Sequence, residues 1–216
     1  MVSETALHFI EYELQAIALI WLAVIYIIKI WQLSRLAMPW EQAPQKGSPA
    51  QGVVQSYGAI LMPGSMESSK NHIWRWLEFG TYHVGALVAI VNTFTFPFAP
   101  GLMTPTVRLV FAILIAPSVL VGFLKLYHRL SKKELRIVST PDDYFSLISM
   151  QFFLFFAVMA LITDAPMWRM WYFLVTAFFL FYVPFSKISH YIYFFFARFL
   201  MGSRYGTRGV IPQKGG

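Results

Sequence analysis

Residues 107–127 read VRLVFAILIAPSVLVGFLKLY, with Arg108 near one end, Lys125 near the other and no charge between them. As a helix, such a run extends about 30 Å at 1.5 Å per residue, the thickness of a bilayer's hydrocarbon core. Four more runs have the same character: Leu14–Leu33, Ile73–Phe96, Phe145–Ile162 and Trp168–Phe196. The pattern predicts an all-α integral membrane protein, a bundle of five transmembrane helices over residues 1–201 with a basic tail at 202–216.

Composition agrees. The chain has 216 residues, of which 57% are hydrophobic and only 12% charged. A soluble domain carries roughly a quarter charged residues to keep its surface hydrated, so the missing polar surface implies a lipid surround. The formal charge of +7 sits in clusters between apolar runs. That placement speaks against nucleic acid and for loops that orient a membrane protein. No cysteine is present, which excludes disulfides, thiolate zinc sites and cysteine-held iron–sulfur clusters within this sequence. Any redox cofactor must be held by histidine. The first residues carry Glu4, Glu11 and Glu13, not the lysines of a cleavable signal peptide, and their apolar run lacks a small-residue cleavage site.

The connections differ in chemistry. Residues 34–72 are long, polar and rich in Pro, Gly, Ser and Gln, and residues 97–106 make a Pro-rich turn. Residues 128–144 carry a basic cluster ending in Thr140-Pro141-Asp142-Asp143. Thr140 suits an N-cap, Pro141 the first helical position, and the aspartates the positive end of the helix dipole. Of the seventeen lysines and arginines, all but Arg108 and Arg169 fall on one side of a five-span topology. The positive-inside rule then places the N-terminus outside and the C-terminus in the cytoplasm, in a multi-pass inner-membrane protein. No internal repeat of the kind many transporters show is evident.

An imidazole inside a membrane helix is costly unless buried and used. Of His8, His72, His83, His128 and His190, only His83 and His190 fall deep in predicted helices. His83 lies about 15 Å beyond Ile73, and His190 about 18 Å before Gly202, counted along continuous helices. With the second and fifth helices antiparallel, the two reach one depth, as axial ligands of a heme b must. Gly80 and Ala86 flank His83 on its own face and leave room for a macrocycle. Each histidine can instead simply hydrogen-bond a carbonyl inside the bundle. His72, eleven residues before His83, returns to nearly the same face and is a candidate for propionate or quinone contact. His8 and His128 read as interfacial. Among the charges, Glu78 is a candidate for a proton path or a pair with Arg75, itself a propionate candidate. Lys187 suits a propionate or a snorkelling role, and Arg108 a quinone carbonyl or an interfacial anchor. Phosphate loops, nucleophile elbows and metalloprotease helices are absent.

Tyr82-His83-Val84-Gly85 and Pro184-Phe185-Ser186-Lys187-Ile188-Ser189-His190 resemble motifs of the gamma (cytochrome b) subunit of respiratory nitrate reductase. Its superfamily includes membrane subunits of heterodisulfide-reductase-like and sulfite-reductase-associated complexes. The resemblance covers most of the chain. It implies a respiratory cytochrome b subunit that exchanges electrons between the quinone pool and an iron–sulfur partner on the cytoplasmic side. His83 and His190 match the pair that ligates the heme nearer the cytoplasm. Where the family's outer-heme ligands would fall stand Thr93 and Tyr172, so one heme is expected, and Arg108 matches a basic position near the outer quinone site. A heme-free anchor for a redox enzyme, a small transporter, and a two-heme form using His72 or His128 are the competing readings.

Overall fold

The computed structural model describes residues 3–37, 44, 47–62 and 72–205. Nine α-helices lie among these residues: α1 Glu4–Glu11, α2 Glu13–Ser34, α3 Pro49–Gly58, α4 Ile73–Phe98, α5 Pro105–Ser131, α6 Lys133–Val138, α7 Pro141–Ile162, α8 Pro166–Tyr182 and α9 His190–Leu200. Among the described residues, five segments are long and apolar enough to cross a membrane: Glu4–Ser34, Ile73–Phe98, Pro105–Ser131, Pro141–Ile162 and Pro166–Phe185. The chain is thus a helical, multi-pass membrane protein by length and composition, and the first four predicted runs fall inside the first four spans. The start of α7 at Thr140–Pro141 follows the predicted chemistry. Pro105, Pro141 and Pro166 each open a helix, where a missing N–H costs nothing. At α7 the Asp143 carboxylate accepts from both the backbone N–H and the hydroxyl of Thr140, each at 2.8 Å.

The fifth run is not the single helix predicted over 168–196. Helix α8 ends at Tyr182, and single 3₁₀ turns at Val183–Phe185 and Lys187–Ser189 separate it from α9. Pro184 explains the break: it has no N–H to donate, and its ring clashes with the preceding turn. The exposed backbone groups find other partners. Lys29 Nζ donates to Pro184 O. Ser186 Oγ accepts from Ile188 N at 3.1 Å and donates to Val183 O at 3.1 Å, and Lys187 N donates to Asp142. Two short helices also stand where only loops were expected, α3 in the polar stretch 34–72 and α6 in the basic loop.

Two compact units make up the fold, residues 1–30 with 78–188, and residues 31–77 with 189–216. In the first, α5, α7 and α8 pack in sequence, and α1 packs on α8. Membrane helices gain little from the hydrophobic effect and associate through close backbone approach and buried hydrogen bonds. Both are visible. A Cβ at Gly85 would come within 1.8 Å of Ser118 Oγ, so only glycine admits the α4–α5 approach, and that hydroxyl donates to Thr81 O at 2.8 Å. Tyr172, fully buried in α8, donates to Ala89 O of α4 at 2.7 Å. In the second unit Tyr57 of α3 donates to Phe195 O of α9 at 2.7 Å and meets the Phe194 ring edge-on. Most of the predicted tail, residues 206–216, lies outside the described residues, and Met201–Tyr205 form a π-helical turn.

Candidate functional site

His83 stands close to the midpoint of α4, ten residues from Ile73 and fifteen from Phe98. Its ring is exposed on the surface of the first unit. His83 Nδ1 lies 2.7 Å from Phe79 O. A carbonyl only accepts, so Nδ1 carries the proton and the basic lone pair resides on Nε2. The Phe79 ring lies against the imidazole with 4.0 Å between centroids, which restrains its rotation. One turn before, at Gly80, an added methyl would meet no atom within 4 Å. A carbonyl-oriented imidazole with a basic Nε2 beside an open, side-chain-free patch is the arrangement used by histidine ligands, whose second nitrogen donates to a carbonyl or carboxylate.

His190 opens α9 in the second unit and is exposed. It lies beyond the fifth span, which ends at Phe185. The depth match with His83 was counted along a continuous fifth helix and does not carry over, because Pro184 breaks that helix. His72 precedes α4 and is exposed, its carbonyl accepting from Arg75 N at 3.0 Å. Arg75 is exposed in the first turn of α4. Glu78 is half-buried and within electrostatic reach of Lys125. Lys187 Nζ bonds Asp143 at 2.8 Å and Thr140 Oγ1 at 2.9 Å, closing a knot on the α7 cap.

Arg108 has a well-defined task. Its guanidinium donates to Leu161 O at 2.9 Å and Thr163 O at 3.1 Å, and pairs with Asp164 at 2.8 Å. It therefore satisfies carbonyls left over at the C-terminus of α7. Arg169 pairs with Glu11 at 2.7 Å. Thus the two basic residues on the sparsely charged side of the topology each carry an acidic partner, which the count of lysines and arginines alone did not reveal. Thr93 donates to Ile90 O at 2.6 Å, and Tyr172 is packed between Phe153 and Phe173.

Two groupings escaped the sequence reading. The first is Glu11, Gln15 and Arg169: Gln15 donates to Phe173 O at 2.8 Å and Ile10 O at 3.0 Å, while Arg169 also lies over the Phe96 ring. The second surrounds a cavity of about 310 Å³ lined by Tyr82, Lys125, His128, Arg129, Leu135 and Leu147. A lysine six residues from the end of a 27-residue apolar helix was the available signal for it. Among the described residues no cluster of three or more His, Asp or Glu forms a metal site; a heme needs only one or two imidazoles.

No family model matches the chain, and no solved structure matches it. The chain is 24% identical over 185 residues to a protein of Nitratidesulfovibrio vulgaris (strain Hildenborough) whose name states no function. That likeness covers 82% of this chain and 80% of the relative, so the two share most of their length.

Proposed function

We propose that this chain is the heme b-carrying membrane subunit of a respiratory redox complex, passing electrons between the quinone pool and an iron–sulfur partner at the cytoplasmic face of the inner membrane. The observation that carries the reading is His83. It is an exposed imidazole at the middle of a membrane-spanning helix, already turned by Phe79 O so that Nε2 is the basic atom. A polar side chain at that depth is placed for use, and an imidazole whose Nε2 is basic suits a metal. Heme iron supplies one-electron chemistry between quinol and an iron–sulfur acceptor. His83 would hold the heme, with Gly80 leaving space beside it, and the family resemblance implies His190 as a further ligand. The absence of cysteine assigns the iron–sulfur centres to a partner.

A heme-free anchor is the second reading. It draws on Lys187 and Arg108, both engaged with Asp143 and Asp164 of their own chain. Addition of a quinol to membranes containing the full complex separates the two. Reduction of a b-type heme in step with quinol oxidation is expected, and a complex that oxidises quinol with no b-type signal would exclude the proposal.

A further inference from the structure

The geometry points to a binding site for one anionic phospholipid headgroup in the cavity between α4, α5, α6 and α7. The cavity, about 310 Å³ in volume, lies at the small end of the range for ligand pockets and accommodates a headgroup. Lys125 and Arg129 stand one turn apart on α5 and both line it, with His128 between them in sequence. Lys125 is held over the Tyr82 ring with Nζ 4.4 Å from the centroid, and Tyr82 OH accepts from Gln151 Nε2 at 3.4 Å. Arg129 donates to Ser139 Oγ at 2.8 Å and lies 3.6 Å from Asp143, so one of the two cations is already shared with an acid. Glu78 is within electrostatic reach of Lys125. The cation least compensated by its neighbours is therefore Lys125, and the site suits a single negative charge.

The same cavity is lined by Leu135 and Leu147, and α6 presents Ile137 and Val138 to the outside at 74% and 72% exposure. A soluble anion gains nothing from that apolar border, whereas a phospholipid lays its acyl chains against it while its phosphate meets Lys125. Basic pockets at the charged end of a helix bundle recognise anionic headgroups in this way. The site uses neither His83 nor His190, so it stands or falls separately from the one-heme proposal.

Native mass spectrometry of the full-length protein, released from nanodiscs of phosphatidylcholine containing phosphatidylglycerol, tests the assignment. The expected result is retention of one phosphatidylglycerol, preferred about five-fold over phosphatidylcholine, the gain of roughly one lysine contact. Heme-free and heme-loaded protein should show the same preference. Lys125→Gln should abolish it, while Lys125→Arg, and Lys133→Gln outside the cavity, should keep it. Equal retention of the two lipids by the unaltered protein would overturn the proposal, whether or not the Lys125→Gln protein folds. So would an unchanged preference in Lys125→Gln, or displacement of the lipid by millimolar inorganic phosphate in detergent, which would mark a soluble-anion site.

Discussion

Arg169 Nη2 and Glu11 Oε2 meet at 2.7 Å, joining the start of α8 to the end of α1. Glu11 is 4% exposed, and the side chain of Arg169 is one-third exposed. Removing one partner of such a pair leaves a charge without compensation in a poorly hydrated place. Arg169→Met is expected to cost about 2–4 kcal/mol, somewhat less than a fully buried pair. Adding Glu11→Leu should recover part of that loss. Thermal unfolding in detergent, followed by circular dichroism, reads both variants; a double variant less stable than Arg169→Met would show that the acid does not depend on the arginine.

Gly85 packs against Ser118 with no room for a side chain. Gly85→Ala should destabilise the protein by about 1–3 kcal/mol through overpacking. Because the nearest obstacle is the Ser118 hydroxymethyl group, with Leu114 O next at 3.2 Å, Ser118→Gly in the same chain should relieve part of that strain. Equal stability of Gly85→Ala and the unaltered protein would mean that α4 and α5 lie farther apart than described.

Lys187 and Asp143 make an ion pair that also ties up the Thr140 cap. Asp143→Ala removes a capping acceptor and should cost about 1 kcal/mol. Lys187→Met should cost less, since the lysine is half exposed and exposed pairs contribute about 0–1 kcal/mol. If Lys187 serves only this pair, Lys187→Met leaves heme content unchanged. A drop in heme per chain, measured by pyridine hemochrome, would instead assign Lys187 to a propionate.

On the heme proposal, the family resemblance puts Tyr172 and Thr93 where outer-heme ligands would stand. Tyr172 fills its place in the core and spends its hydroxyl on Ala89 O, and Thr93 bonds its own helix. One heme per chain is the expected hemochrome result; two would require His72 or His128 to take part.

Much of the fold is legible because apolar length is a one-dimensional property. The run 107–127 has to be a helix wherever it sits in lipid, since only internal hydrogen bonds satisfy its backbone there. The cap at Thr140–Asp143 is equally local, and its aspartates were visible as first-turn acids, although the pair with Lys187 was not. The break at Pro184 illustrates the limit. Proline in a membrane helix either kinks it or ends it, and which happens depends on whether distant groups can take over the freed backbone atoms. Here Ser186 does so from two residues along, and Lys29 and Asp142 from positions that no local pattern links to residue 184. The consequence reached the site: a depth counted along 168–196 assumed a helix that ends at Tyr182. His83 was legible as a polar residue at depth, but its orientation by Phe79 O is a matter of rotamer, which sequence does not encode. The cavity at Lys125 needed three helices and a short fourth, and α6 was hidden in a basic loop.

The reduced-minus-oxidised absorption spectrum of the purified full-length protein, recorded alongside His83→Ala, tests the central claim most directly. A b-type spectrum on dithionite reduction, lost in His83→Ala while the far-ultraviolet circular dichroism of the helices is retained, is the predicted result. The same b-type spectrum in the variant, or no b-type spectrum in the unaltered protein, would contradict the assignment of His83 as a heme ligand.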